Sequence, residues 1–91
     1  MRRGGGVPGY EAVCATCHFA VASTMVLAWP ALFDSRAVWA WLLLVPWIIV
    51  KEFGWDFWYE HDTWAGSLVD SFWYLAGGSV ASVACWIVGR L

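Results

Sequence analysis

Charge is what this sequence is short of. Five Lys or Arg and seven Asp or Glu stand among 91 residues, 13% of the chain and about half the usual share of a soluble domain. A small soluble protein has a large surface for its volume, and so few polar groups cannot cover one. The five basic residues and a pI near 5.4 exclude a nucleic-acid surface. Three cysteines exclude a disulfide-rich scaffold, and nine glycines with no Gly-x-y period exclude a collagen-like one. Disorder requires low hydrophobicity and high net charge, whereas 62% of this chain is hydrophobic and its net charge is −2. Gly4 to Gly6 form no phosphate loop between strand and helix, and Ser67, Ser71 and Ser79 have no credible His–Asp partnership. What is left is a single domain over residues 1–91 whose solvent is lipid.

Tryptophan, by contrast, is in excess. Nine of 91 residues are Trp, and aromatics reach 19%. An indole pairs a large apolar ring with one N–H donor, so it settles where lipid meets water. Trp29, Trp39 and Trp41 flank one expected turn, Trp55, Trp58, Tyr59 and Trp64 the other, with Tyr10 and Trp86 near the free ends. Trp47 is the exception, deep in a span, where its N–H asks for a partner on a neighbouring helix.

The expected fold is all-α, an integral membrane protein with three transmembrane helices over about 10–29, 37–53 and 67–88. Residues 1–9 read as a flexible Gly-rich tail. At 1.5 Å per residue, the first stretch reaches about 30 Å, one hydrocarbon thickness, before Pro30 closes it and Asp34-Ser35-Arg36 turns the chain. The second carries Pro46 and a bend. Ser67 and Asp70, three apart, read as a capping box at the start of the third. Gly77 with Ala81, and Gly78 with Ser82, put small residues four apart, where another helix can approach closely. Arg2, Arg3 and Lys51 against Arg36 and Arg90 place the N-terminus in the cytoplasm, with a bacterial inner membrane as the setting. Glu11 and the length of the apolar run argue against a cleaved signal peptide.

Two groups of residues bear chemistry. Cys14-Ala15-Thr16-Cys17-His18 matches C-x-x-C-H, the pattern in which two thiols hold haem and the histidine ligates iron. Its place inside a membrane helix, at the cytoplasmic end, disfavours haem c. His18 taken alone is a hydrogen-bonded contact between helices, with a ligand role as the sharper alternative. The second group is Lys51, Glu52, Asp56, His61 and Asp70. On a continuing helix Glu52, Asp56 and Glu60 share a face, and like charges four apart repel. Near lipid that repulsion grows, so Lys51 or a bound cation is needed to offset it. Glu52, Asp56 and Asp70, with His61, make a shell for a divalent metal. The alternative is a solvated loop, which suits Glu60 and Asp62 best, with Asp70 capping its helix.

Lys51-Glu52-Phe53, then Asp56, then Asp70 seven residues ahead of Gly77, resembles the K-E-aromatic-x-x-D … D … G pattern of VanZ-like membrane proteins, across residues 51–78. The resemblance implies a role at the cell envelope, associated in that family with glycopeptide resistance, and one polar cluster made of Lys51, Glu52, Asp56 and Asp70.

Four functions follow from these readings. The first is a structural or interaction component of the envelope, a homo-oligomer or part of a larger membrane complex, packing through Gly77, Gly78, Ala81, Ser82 and Trp47 in the bilayer. The second is a metal-dependent envelope enzyme acting on a lipid-linked or headgroup substrate through Glu52, Asp56 and Asp70, with His18 or His61 as ligand or proton shuttle. A phage lysis protein of holin type and a membrane-anchored c-type cytochrome stand behind these. No nucleic-acid partner is expected.

Overall fold

The computed structural model describes residues 9–59 and 64–91, apart from the side chains of 56, 57 and 59. It is all-α, with three helical rods long and apolar enough to cross a membrane. The first is α1 (Tyr10–Phe33). The second runs as one 3₁₀ turn (Ala37–Ala40), then α2 (Trp41–Ile48), then a wide π-type stretch (Ile49–Tyr59). The third is α3 (Trp64–Ile87). The large residues Leu32, Phe33, Leu42, Val50, Phe72 and Ile87 all point outward, as a lipid-facing surface requires.

The polar residues scattered along α1 are absorbed locally. The Thr16 hydroxyl donates to the Ala12 carbonyl at 2.8 Å, and the Ser23 hydroxyl lies 2.7 Å from the Phe19 carbonyl oxygen. In lipid each such group needs an internal partner, and the carbonyl four residues back is the nearest. Ser23 is also 3.2 Å from the Gly77 carbonyl oxygen, which ties α1 to α3. Pro30 does not end α1. It removes one N–H from the ladder, yet the helix continues through it to Phe33 and stops where Asp34 turns left-handed, with φ 47°.

Two adjacent glycines let α3 sit between its neighbours. A methyl group at Gly77 would stand 2.2 Å from the Phe19 carbonyl oxygen, so α1 and α3 touch backbone to backbone there. One at Gly78 would stand 2.8 Å from the Trp41 ring and 2.9 Å from the Leu44 side chain, on the second span. Ala81 is buried on the same face, and Ser82 accepts a hydrogen bond from the Trp41 indole N–H at 3.0 Å. The small-residue face, expected to pack the chain's helices against each other and against partner helices, meets the chain's own spans. Trp47 is a correction. It is 43% exposed on the outward face, and Trp41 supplies the indole bond between helices.

The end of α3 holds the start of the second span. Gly89 is left-handed (φ 75°), its N–H donates to the Trp86 carbonyl at 3.1 Å, and the Arg90 N–H donates to the Cys85 carbonyl at 2.7 Å. This paired closure of a helix end favours glycine, because other residues meet their own Cβ there. The returning chain then accepts the Ala37 and Val38 N–H groups on the Arg90 and Leu91 carbonyls, at 2.7 and 3.1 Å. Gly89→Ala is expected to cost about 1–2 kcal/mol, the penalty of a left-handed non-glycine residue. An SDS unfolding titration in mixed micelles reads it; an unchanged midpoint would show that this turn does not anchor the second span.

Candidate functional site

Three ionisable side chains, one from each span, meet inside the bundle. His18 lies eight residues, about 12 Å, along α1 from Tyr10, and Asp70 six residues, about 9 Å, along α3 from Trp64. Glu52 comes from the wide turns of the second span. Their exposures are 1%, 1% and 0%, so the three are sealed from lipid and water alike. Sequestering such groups is costly, and inside a membrane they mark functional positions.

Local bonds hold each one. His18 Nδ1 faces the Cys14 carbonyl oxygen one turn back. A carbonyl oxygen only accepts, so that ring nitrogen carries the hydrogen. The Tyr74 ring meets the imidazole at a steep angle, with centroids 4.5 Å apart, and fixes its plane. Ser67 donates to the Glu52 backbone carbonyl at 2.9 Å, pinning the wide turns against α3. Ser71 in turn donates to the Ser67 carbonyl at 2.8 Å. Ser67, Asp70, Ser71, Tyr74 and Gly77 thus form one buried face of α3.

The expected capping box is overturned by this arrangement. Helix α3 already runs from Trp64, Ser67 lies within it and bonds another span, and Asp70 is buried beside His18 instead of capping a helix end.

His18 Nε2 is the telling atom. It lies 3.5 Å from Glu52 Oε2 and 3.7 Å from Asp70 Oδ2, and it has no hydrogen-bond partner among the described residues. A charge-assisted N–H···O bond measures about 2.7–2.9 Å, so neither approach is one. With a ring hydrogen on Nδ1, the His18 imidazole faces two carboxylates through Nε2, which carries either a lone pair for a cation or a second proton. Electron pairs do not converge like this in a low dielectric unless something positive lies among them. The three ligand atoms all fall within 4.8 Å of one another. Around a tetrahedral zinc with arms of 2.0–2.2 Å, ligand atoms lie about 3.4 Å apart, close to the two nitrogen–oxygen separations here. A histidine whose second nitrogen donates to a backbone carbonyl is also the usual arrangement of a metal-ligating imidazole.

Of the acidic group expected from sequence, Glu52 and Asp70 come together. Lys51 precedes Glu52 on the same turns and is half-buried. The Asp56 side chain and the whole of His61, Glu60 and Asp62 lie outside the described residues. The C-x-x-C-H residues do not face one way: Cys14 is buried, Cys17 is exposed, and His18 turns to the carboxylates. Sequence reasoning placed His18 with the acids only as one alternative, and it missed Ser67 and Tyr74 as their supports. The available signal was the spacing of Ser67, Ser71 and Tyr74, with Asp70 between them, along one face of α3. The sequence matches no protein-family model, no curated protein and no solved structure.

Proposed function

We propose that this chain is a small polytopic protein of the bacterial inner membrane, its N-terminus cytoplasmic, whose three spans close around one divalent cation. Its role in the envelope is structural or interaction-based, with the ion as the keystone of the bundle. The observation that carries this reading is the aim of His18 Nε2 at Glu52 and Asp70, each side chain from a different span. Three protein ligands of nitrogen and oxygen suit zinc or manganese. The resemblance of residues 51–78 to VanZ-like proteins agrees with an envelope setting and includes two of the three ligands. An enzyme acting on a lipid headgroup is the weaker reading, since so bulky a group does not reach side chains that are 0–1% exposed.

Elemental analysis by mass spectrometry, on the full chain purified in mild detergent without chelator, tests the proposal. About one divalent ion per chain is expected, falling to background in Glu52→Gln and Asp70→Asn. Both substitutions keep the shape and remove a charged ligand. Folded wild-type protein that holds no metal, even after dialysis against zinc and manganese, overturns it. A nitrogen NMR spectrum showing His18 doubly protonated in that protein would make the positive centre a proton.

A further inference from the structure

At the opposite end of the bundle, two arginines and an apolar groove share one corner. The backbone bond from the Ala37 N–H to the Arg90 carbonyl brings Arg36 and Arg90 side by side in the fold, at the level of the exposed Trp39 and Trp86. Exposed indoles mark the headgroup layer. Neither guanidinium takes part in an ion pair among the described residues, Asp34 of the same turn included. Below Arg90 an outward groove of about 380 Å³ runs between α1 and α3. Leu27 and Ala31 line one wall, Ala84 and Val88 the other, and Arg90 is the one charged residue in its lining. Ala31 and Ala84 present only a methyl group to it.

We propose that this groove binds an anionic phospholipid, with one acyl chain between α1 and α3 and the phosphate on Arg36 and Arg90. Each half of the corner asks for one half of that molecule. Between Arg90 and the far end, the walls are the apolar side chains of Leu27, Pro30, Ala31, Ala84 and Val88, which suit an acyl chain. The two guanidiniums match a phosphodiester, which planar N–H forks bind well. Two guanidiniums favour a headgroup of net negative charge over a zwitterionic one.

Native mass spectrometry reads the preference directly. The full chain in mild detergent is mixed with equal amounts of phosphatidylglycerol and phosphatidylcholine carrying identical chains. Retained phosphatidylglycerol is expected to exceed phosphatidylcholine roughly thirtyfold, the scale set by two basic side chains at a surface. Arg36→Gln/Arg90→Gln should bring the ratio near one. Ala84→Phe fills the groove from an exposed position and should remove both adducts while circular dichroism stays that of wild type. Equal retention by the wild type overturns the proposal. So does a phosphatidylglycerol adduct that survives Ala84→Phe, since the contact would then be with phosphate alone and not with the groove.

Discussion

Gly77→Ala is expected to keep α1 and α3 from closing. The added methyl group would lie 2.2 Å from the Phe19 carbonyl oxygen and 2.9 Å from its carbonyl carbon and Cα. These are backbone atoms of a helix, and no rotamer change moves them. Overpacking a core ordinarily costs about 1–3 kcal/mol, and it falls in that range because side chains yield. Here a whole helix would have to shift, so the loss should exceed it. Gly78→Ala is the internal comparison. Its methyl group would meet the tip of the Trp41 ring and one Leu44 methyl at 2.8–3.0 Å, both of which can give way. Gly54→Ala, with nothing within 4 Å, sets the baseline. An SDS unfolding titration followed by circular dichroism should rank the losses Gly77→Ala, then Gly78→Ala, then Gly54→Ala. If Gly77→Ala unfolds no sooner than Gly54→Ala, then α1 and α3 do not touch backbone to backbone.

That ranking also marks how far the fold was legible. Three spans followed from composition, because only lipid can solvate so apolar a surface, and the four-residue spacing of small side chains announced a close approach. Which helix makes the approach was not legible. A helix that is apolar nearly all round has no polar face to say which way it turns, so Trp41 and Trp47 look alike in sequence. Only packing puts Trp41 against Ser82 and leaves Trp47 half exposed. Ser67 is ambiguous for a different reason. A serine hydroxyl serves equally to cap a helix or to bond a carbonyl on a neighbour, and the acid three residues on fits the first reading as well as the second. The three spans stand as read, and the clearest shift is at the end of the first: proline weakens a helix, yet α1 runs through Pro30 to Phe33.

The site was half legible. Charges this close to hydrocarbon flagged Glu52 and Asp70 at once. His18, thirty-four positions before Glu52, was drawn toward the neighbouring cysteines by a local motif. Long-range pairing is invisible to spacing rules, and a single histidine carries no periodicity of its own.

The largest contrast is expected between removing one member of the centre and removing all three. His18→Leu leaves two buried carboxylates within 4.8 Å of each other and removes the imidazole that faces both. Breaking a buried ionic group in this way typically costs about 3–5 kcal/mol, because a charge is left without compensation. Glu52→Leu or Asp70→Leu should each cost a similar amount by stripping the ion of a ligand. The triple variant His18→Leu/Glu52→Leu/Asp70→Leu removes every charge together and fills the space with hydrocarbon. Such replacements are often neutral or stabilising, so it should unfold near the wild-type midpoint or above it. Metal tells the remaining difference. At a zinc concentration one hundred times its dissociation constant, the wild type should gain about 2.7 kcal/mol, and chelator should take that gain away. The triple variant should respond to neither. A triple variant as weak as the single ones would mean that His18, Glu52 and Asp70 matter to this bundle as shapes. A triple variant that is stable yet indifferent to metal would mean that leucine folds this bundle as well as the three charges do. Stability alone would not account for them, and the cation would.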